Sequence, residues 1–338
     1  MPMDPRVAKM LVFGAMLSCL DPVLTIAAAM AHGRPVFLTP APDMRGEVEE
    51  QRRRLLSPAV AARSDHVALV AAFNSWVQLT AQGGPSEASA FAQRCALSES
   101  SLEAVASGRQ EYAGVLAELG FLPHDCAALV AGRGGRGGRR GGAPGVLRWS
   151  PASHQAWLAL PVNAQHSDAR FLKAAVMAGF YPSVLRVEHP PATYIKVEGG
   201  AVRVESEPSS LKFFDKQRGR AFIHPGSVNF KVGDFASGWA VYTQMTATTK
   251  LFVRESSMAP MYSVALFGGE LRVNSERSRI MVDDVAEFQA PALVGVLLRR
   301  LRMVLDSVLA EKIQNPGLDF SADRAVGVIM QLLATDGF

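Results

Sequence analysis

Apolar residues recur at helical spacing through much of the first 180 positions and then alternate with polar ones, so the chain divides into a helical part and a strand-rich part. Two helices are predicted across residues 4–31. Each opens on an aspartate before a proline, Asp4-Pro5 and Asp21-Pro22: the acid accepts from free N–H groups and the proline presets the first helical φ. The charged run 43–55 is a solvated helix face or a loop. Ser64-Asp65 caps a helix over 65–79, and residues 86–97 and 98–119 predict two more. A further helix at about 167–179 ends at Gly179.

From Tyr181 onward, runs at 183–188, 193–205, 220–230, 238–260, 262–268 and 270–274 read as short strands between Gly, Pro and Ser turns, the pattern of a small barrel or sandwich. Helices close the chain at 286–313 and about 320–335. Leu297, Leu298, Leu301, Val304, Leu305 and Val308 place an apolar stripe on the first of these, read as a packing face. Residues 132–145, GRGGRGGRRGGAPG, lack core-forming side chains and are expected to be a disordered loop.

Composition narrows this picture only a little. With 338 residues, 49% of them hydrophobic, the chain can bury two cores. Its net charge of +4 fits an anionic partner, and the basic residues are mostly arginine, which pairs with phosphate and stacks on bases. A GC-rich coding sequence produces the same bias. Cys19, Cys95 and Cys126 are few, odd in number and far apart, which argues for no disulfide framework and a reducing, intracellular setting. Asp21-Pro22 interrupts the first apolar run before it reaches the roughly 20 residues that span a bilayer, so a soluble chain without membrane contact is expected.

Several chemistries lack their residues. No GxxxxGK[ST] phosphate loop, HExxH helix or GxSxG elbow occurs, and the seven histidines show no metal-ligand spacing. Adjacent acids such as Asp283-Asp284 point their side chains apart. No bond-making chemistry is expected of this chain unaided.

Five stretches in order carry a resemblance. MDPRVAKMLVFGAMLSCLDPVLTIAAAM resembles the junction between the winged-helix and ratchet-like helical domains of DEAH/RHA-type RNA helicases, and SDHVALVAAFNSW resembles a helix of that family. DARFLKAAVMAGFYPSVLRV is similar to its helix leading into an OB-fold, AFIHPGSVNF to a strand turn there, and WAVYTQMTATTKLFVRESSMAPMYSVALFG to the hairpin that faces nucleic acid in the RNA helicase A/maleless branch. Gly226 departs from the serine common at its position. The resemblance spans roughly residues 3–310.

It implies an α+β fold: a helical bundle (ratchet-like) domain, a five-stranded OB-fold barrel and C-terminal helices. The boundaries expected are 1–20 as a remnant of the winged-helix junction, 21–180 helical, 181–285 OB-fold and 286–338 helical. It also implies a single-stranded RNA-binding accessory region, with ATP and Mg belonging to RecA-like lobes that this chain lacks and no cofactor of its own. Those lobes and helicase-activating proteins are the implied partners, and a protein-interaction module without RNA binding is the alternative. Candidate RNA contacts are Thr248, Thr249, Lys250 and Arg254 on the hairpin, Arg170 and Lys173 on the helix entering the barrel, and Arg133, Arg136, Arg139 and Arg140 in the arginine-glycine tract. Phe230, Trp239 and Tyr242 are stacking platforms or core, and His224 holds its turn.

Overall fold

The computed structural model describes residues 3–130, 151–192, 194–197, 200–203, 206–318, 320 and 323–335. Among the described residues eight α-helices come first: α1 (Pro5–Met16), α2 (Leu20–His32), α3 (Arg45–Ala61), α4 (Asp65–Arg94), α5 (Glu99–Glu118), α6 (His124–Val130), α7 (Pro151–Leu158) and α8 (Ala169–Phe180). Four starts follow caps, Asp4, Ser64, Ser98 and Asp168 each accepting a backbone N–H of the first turn. Asp21, expected to open a helix, instead lies inside α2, which starts after Cys19, and its side chain bonds Arg109 and Trp157. The helix expected at 86–97 is the second arm of α4, bent where Gly84 takes φ +80° ahead of Pro85. The charged run belongs to α3, and the arginine-glycine tract lies outside the described residues.

Gly179, expected at the end of a helix, is the penultimate residue of α8. A Cβ there would lie 2.6 Å from the Met10 Cβ and 2.9 Å from the Arg6 carbonyl oxygen, so the bare glycine lets α8 close onto α1. Gly179→Ala is expected to push the two helices apart and cost about 1–3 kcal/mol. A thermal melt checks this, and an unchanged midpoint would refute the packing role.

Five strands close a barrel in the order β1 (Val184–Glu188), β4 (Lys212–Asp215), β5 (Gly219–Ile223), β7 (Leu251–Met258) and β6 (Trp239–Ala247). All pairings are antiparallel except β5 with β7. Leu185, Val187, Phe213, Ala221, Ile223 and Val253 fill its interior. The run expected at 193–205 is not a barrel stave. It makes a separate hairpin, β2 (Tyr194–Val197) with β3 (Gly200–Arg203), between β1 and β4.

Past the barrel come α9 (Met261–Phe267), β8 (Leu271–Asn274), β9 (Arg279–Val282), β10 (Ala286–Gln289), α10 (Ala292–Gln314) and α11 (Arg324–Ala334). Residues 262–268, expected as a strand, form α9 because five consecutive side chains, Ser263 to Phe267, are buried, which an alternating strand with one wet face cannot do. Residues 286–289, expected to begin a helix, are the third strand of a small sheet: Ala286 and Phe288 turn inward, Glu287 and Gln289 outward, and Pro291 then opens α10. This sheet runs across the boundary expected at 285. On α10, Leu298, Leu305 and Val308 are buried as a packing face requires, yet Leu297 remains 54% exposed and Val304 36%. One large core joins α1, α2 and α8 to α9, α10 and α11, so both ends of the chain pack together.

Candidate nucleic-acid interface

Alternation along the staves decides what the barrel shows outside. With Leu185, Phe213, Ala221 and Val253 turned inward, their neighbours turn outward, and the register aligns them: Arg186 lies opposite Phe214, Phe214 opposite Arg220, and Phe222 opposite Phe252. The result is a ladder of cations and rings across four staves. The Arg186 guanidinium carbon stands 5.3 Å from the Phe214 centroid, and that of Arg220 stands 5.3 Å from Phe214 and 5.1 Å from Phe222. Lys250 Nζ is 4.7 Å from the Phe222 centroid, Phe222 and Phe252 are 6.3 Å apart, and the His224 ring meets Phe252 edge-on at 6.2 Å. The three phenylalanines are half-buried, which leaves aromatic surface at the solvent boundary.

Two of the charges on this face, Lys250 and Arg254, are placed to meet an anion. Among the described residues neither Lys250 nor Arg254 faces a carboxylate, whereas Arg186 is paired with Glu188 at 2.8 Å. Burial draws the Arg220 guanidinium somewhat below its usual range, and burial followed by the Arg254 charge lowers His224.

Of the residues expected from sequence, Thr248, Thr249 and Lys250 form the exposed turn between β6 and β7, closed by the Thr248 N–H donating to the Lys250 carbonyl at 2.9 Å. Arg254 projects from β7 toward His224. The other helical candidates go elsewhere. Arg170 is ion-paired with Asp168 at 2.7 Å and donates to the Ala334 carbonyl, and Lys173 is only 2% exposed, so the channel-facing role expected for it is corrected. Arg133, Arg136, Arg139 and Arg140 lie outside the described residues. Trp239 packs on Phe288 at 4.8 Å, Tyr242 donates to Asp215 at 2.8 Å, and Phe230 is exposed away from these pairs.

Sequence reasoning missed Arg186, Phe214, Arg220, Phe222 and Phe252. The signal was present in Arg220-x-Phe222 and Phe252-x-Arg254, where spacing by two puts ring and cation on one face of a strand. Phe214 was hidden because β4 is short and bounded by Lys212 and Asp215.

The start of α4 fixes the barrel against the helices. Asp65 accepts from the Ser227 hydroxyl at 2.6 Å and from the N–H groups of Val228 and Ser256, each at 2.8 Å. Ser64 and His66 both bond the Ser257 hydroxyl at 2.6 Å, and the Met258 N–H donates to the Arg63 carbonyl at 2.8 Å. This latch holds the turn after β5 and the end of β7, the two elements that carry His224 and Arg254.

Among the described residues no group of three acids, histidines or cysteines is arranged to hold a metal, and no helix is long and apolar enough to cross a membrane. Residues 4–69 match the helicase associated domain (HA2), ratchet-like; residues 172–271 the oligonucleotide/oligosaccharide-binding (OB)-fold; and residues 278–335 the C-terminal domain in RNA helicases. The chain is 29% identical over 336 residues to the ATP-dependent RNA helicase DHX29 of Mus musculus, 99% of this chain and 21% of that protein. It is 31% identical over 344 residues to DHX57 of Homo sapiens, 99% of this chain and 23% of that protein. The ATP-dependent DNA/RNA helicase DHX36 of Mus musculus is 28% identical over 318 residues, 94% of this chain and 27% of that protein. The chain therefore spans about a quarter or less of the length of these relatives.

Proposed function

The chain belongs to the C-terminal, helicase-associated region of DEAH-box RNA helicases, and from that premise we propose that it grips single-stranded RNA for an ATP-driven motor. The observation that carries this reading is the ladder Arg186–Phe214–Arg220–Phe222–Lys250 on the outside of the barrel. OB-folds take oligonucleotides on the face of their second and third staves, and the turn joining the fourth and fifth borders it. In this chain those are β4, β5 and the Thr248–Lys250 turn. Rings supply stacking surface that any base can use, cations supply phosphate contacts, and neither requires a particular sequence. ATP and magnesium would act in RecA-like lobes, with this region adding grip and direction.

The test is a labelled single-stranded RNA oligonucleotide titrated against the purified chain at two salt concentrations. Affinity is expected to fall steeply as salt rises. Phe222→Leu, which keeps the apolar packing and removes the ring, is expected to weaken binding by about 1–3 kcal/mol. Lys250→Ala should reduce the log–log salt slope by about 0.7. Absence of binding at low salt would reject the reading. It would leave the second one, a protein-docking module, which the exposed Leu293, Leu297 and Met303 of α10 favour.

A further inference from the structure

His224 is surrounded by more donors than it can accept from. Its Nδ1 lies 3.0 Å from the Gly226 N–H and its Nε2 lies 2.9 Å from Arg254 Nη2, and both approaching groups are obligate donors. A neutral imidazole has one acceptor nitrogen, and the other carries a proton. Within the tight His-Pro-Gly turn the Gly226 N–H is fixed by the backbone, so Nδ1 is the nitrogen that accepts. Nε2 then carries its proton toward a guanidinium that also carries protons. Two N–H donors therefore stand side by side 2.9 Å apart, close enough for one anionic group alongside them to accept from both.

Resting on the RNA-binding reading above, we propose that His224 and Arg254 form a two-donor clamp for one phosphate of the polynucleotide backbone, with the neutral Nε2–H ring and the guanidinium donating to the same phosphate group. Three features support it. The pair sits next to Phe252, so a phosphate held here has an aromatic surface beside it for the adjoining base. Among the described residues no carboxylate bonds either group: Asp65, the carboxylate beneath the same turn, spends its oxygens on Ser227, Val228 and Ser256, and Glu49 pairs with Lys231. Burial and the Arg254 charge hold His224 below its usual range, which keeps the ring neutral and Nδ1 available to Gly226 at neutral pH.

The two amide side chains separate the nitrogens. His224→Asn places an acceptor near Nδ1 and preserves the turn but offers nothing at Nε2, whereas His224→Gln extends an N–H to the Nε2 position. With a fluorescein-labelled 12-nucleotide oligouridylate, His224→Asn is expected to bind about tenfold or more weakly with an unchanged salt slope, since a neutral donor releases no counterion. His224→Gln is expected to stay within about threefold of the parent. Arg254→Ala should both weaken binding and lower the slope by about 0.7. Nitrogen-15 spectra of the histidine rings should show His224 as the Nε2–H tautomer before and after the oligonucleotide is added. An Nδ1–H tautomer, or parental affinity in a folded His224→Asn protein, overturns the clamp while leaving the broader reading intact. No binding by the parent protein overturns both.

Discussion

Replacing Arg109 with alanine is expected to destabilise the helical part by about 3–5 kcal/mol, enough to remove much of the margin a domain of this size has. Arg109 and Asp21 are each 1% exposed and meet at 2.5 Å between α5 and α2. Arg109 also donates to the Asp21 carbonyl at 2.8 Å and to the Thr25 hydroxyl, and lies 5.0 Å from the Phe73 centroid. The Trp157 indole reaches the same Asp21 oxygen at 2.7 Å, which brings in α7, and Asn163 accepts the Asp21 N–H at 2.8 Å. Burial alone would raise the Asp21 carboxyl, but the Arg109 charge and the hydrogen bonds outweigh it and hold the group below its usual value. A depressed acid contributes stability above its ordinary range and loses it as pH falls. Removing the guanidinium strands a carboxylate in an apolar interior, whereas Asp21→Leu with Arg109→Met removes both charges together and should recover most of the loss. Denaturant unfolding measures both, and a single variant as stable as its parent would show the network to be dispensable.

Asp65→Ala is the second large effect, expected at about 3 kcal/mol or more. It deprives the N–H groups of Val228 and Ser256 and the Ser227 hydroxyl of their acceptor, and each buried donor left unmet costs about 1–3 kcal/mol. RNA affinity should fall with it, because the turn bearing His224 loses its support. The same latch gives the protein a pH signature. Burial pushes His66 down from 6.5 to about 4, so the ring must stay neutral when folded. The unfolded chain binds the proton first, and stability is lost as pH falls from about 6.5 toward 4, by up to ~3 kcal/mol. Asp65, raised by burial, acts in the opposite sense, so the comparison that isolates the ring is the parent against His66→Gln. Melting temperatures between pH 7.5 and 5 should decline in the parent and decline less in His66→Gln; parallel curves would remove His66 from the account.

What could be read before the coordinates depended on whether the signal was local. Caps are local chemistry, and Asp4, Ser64 and Ser98 open their helices as their residue types require, whereas Asp21 sits one residue inside α2 because its carboxylate is drawn to Arg109 from a distant part of the chain. The β6–β7 hairpin, with its alternating flanks, is equally local. Residues 262–268 were misread because burial on every side erases periodicity, and a short apolar run then fits either element. The interface was read in part for the same reason. Its hairpin is contiguous, but Arg186, Phe214, Arg220 and Phe222 become neighbours only through cross-strand register, which sequence spacing does not encode. Lys173 was placed by helix position alone, and packing of α8 against the rest of the molecule buried it.

The parallel seam between β5 and β7 has a mechanical corollary. β7 lies between β5 and β6 and runs parallel to β5, so the polypeptide must leave at Ile223 and travel through residues 224–238 to start β6 on the far side of β7 before a tight turn can bring it back beside β5. That detour is also where Asp65 takes hold. Prising the cylinder from its helical mount and unzipping its weakest edge would therefore strain the same short stretch of backbone, and the cylinder should yield as one piece.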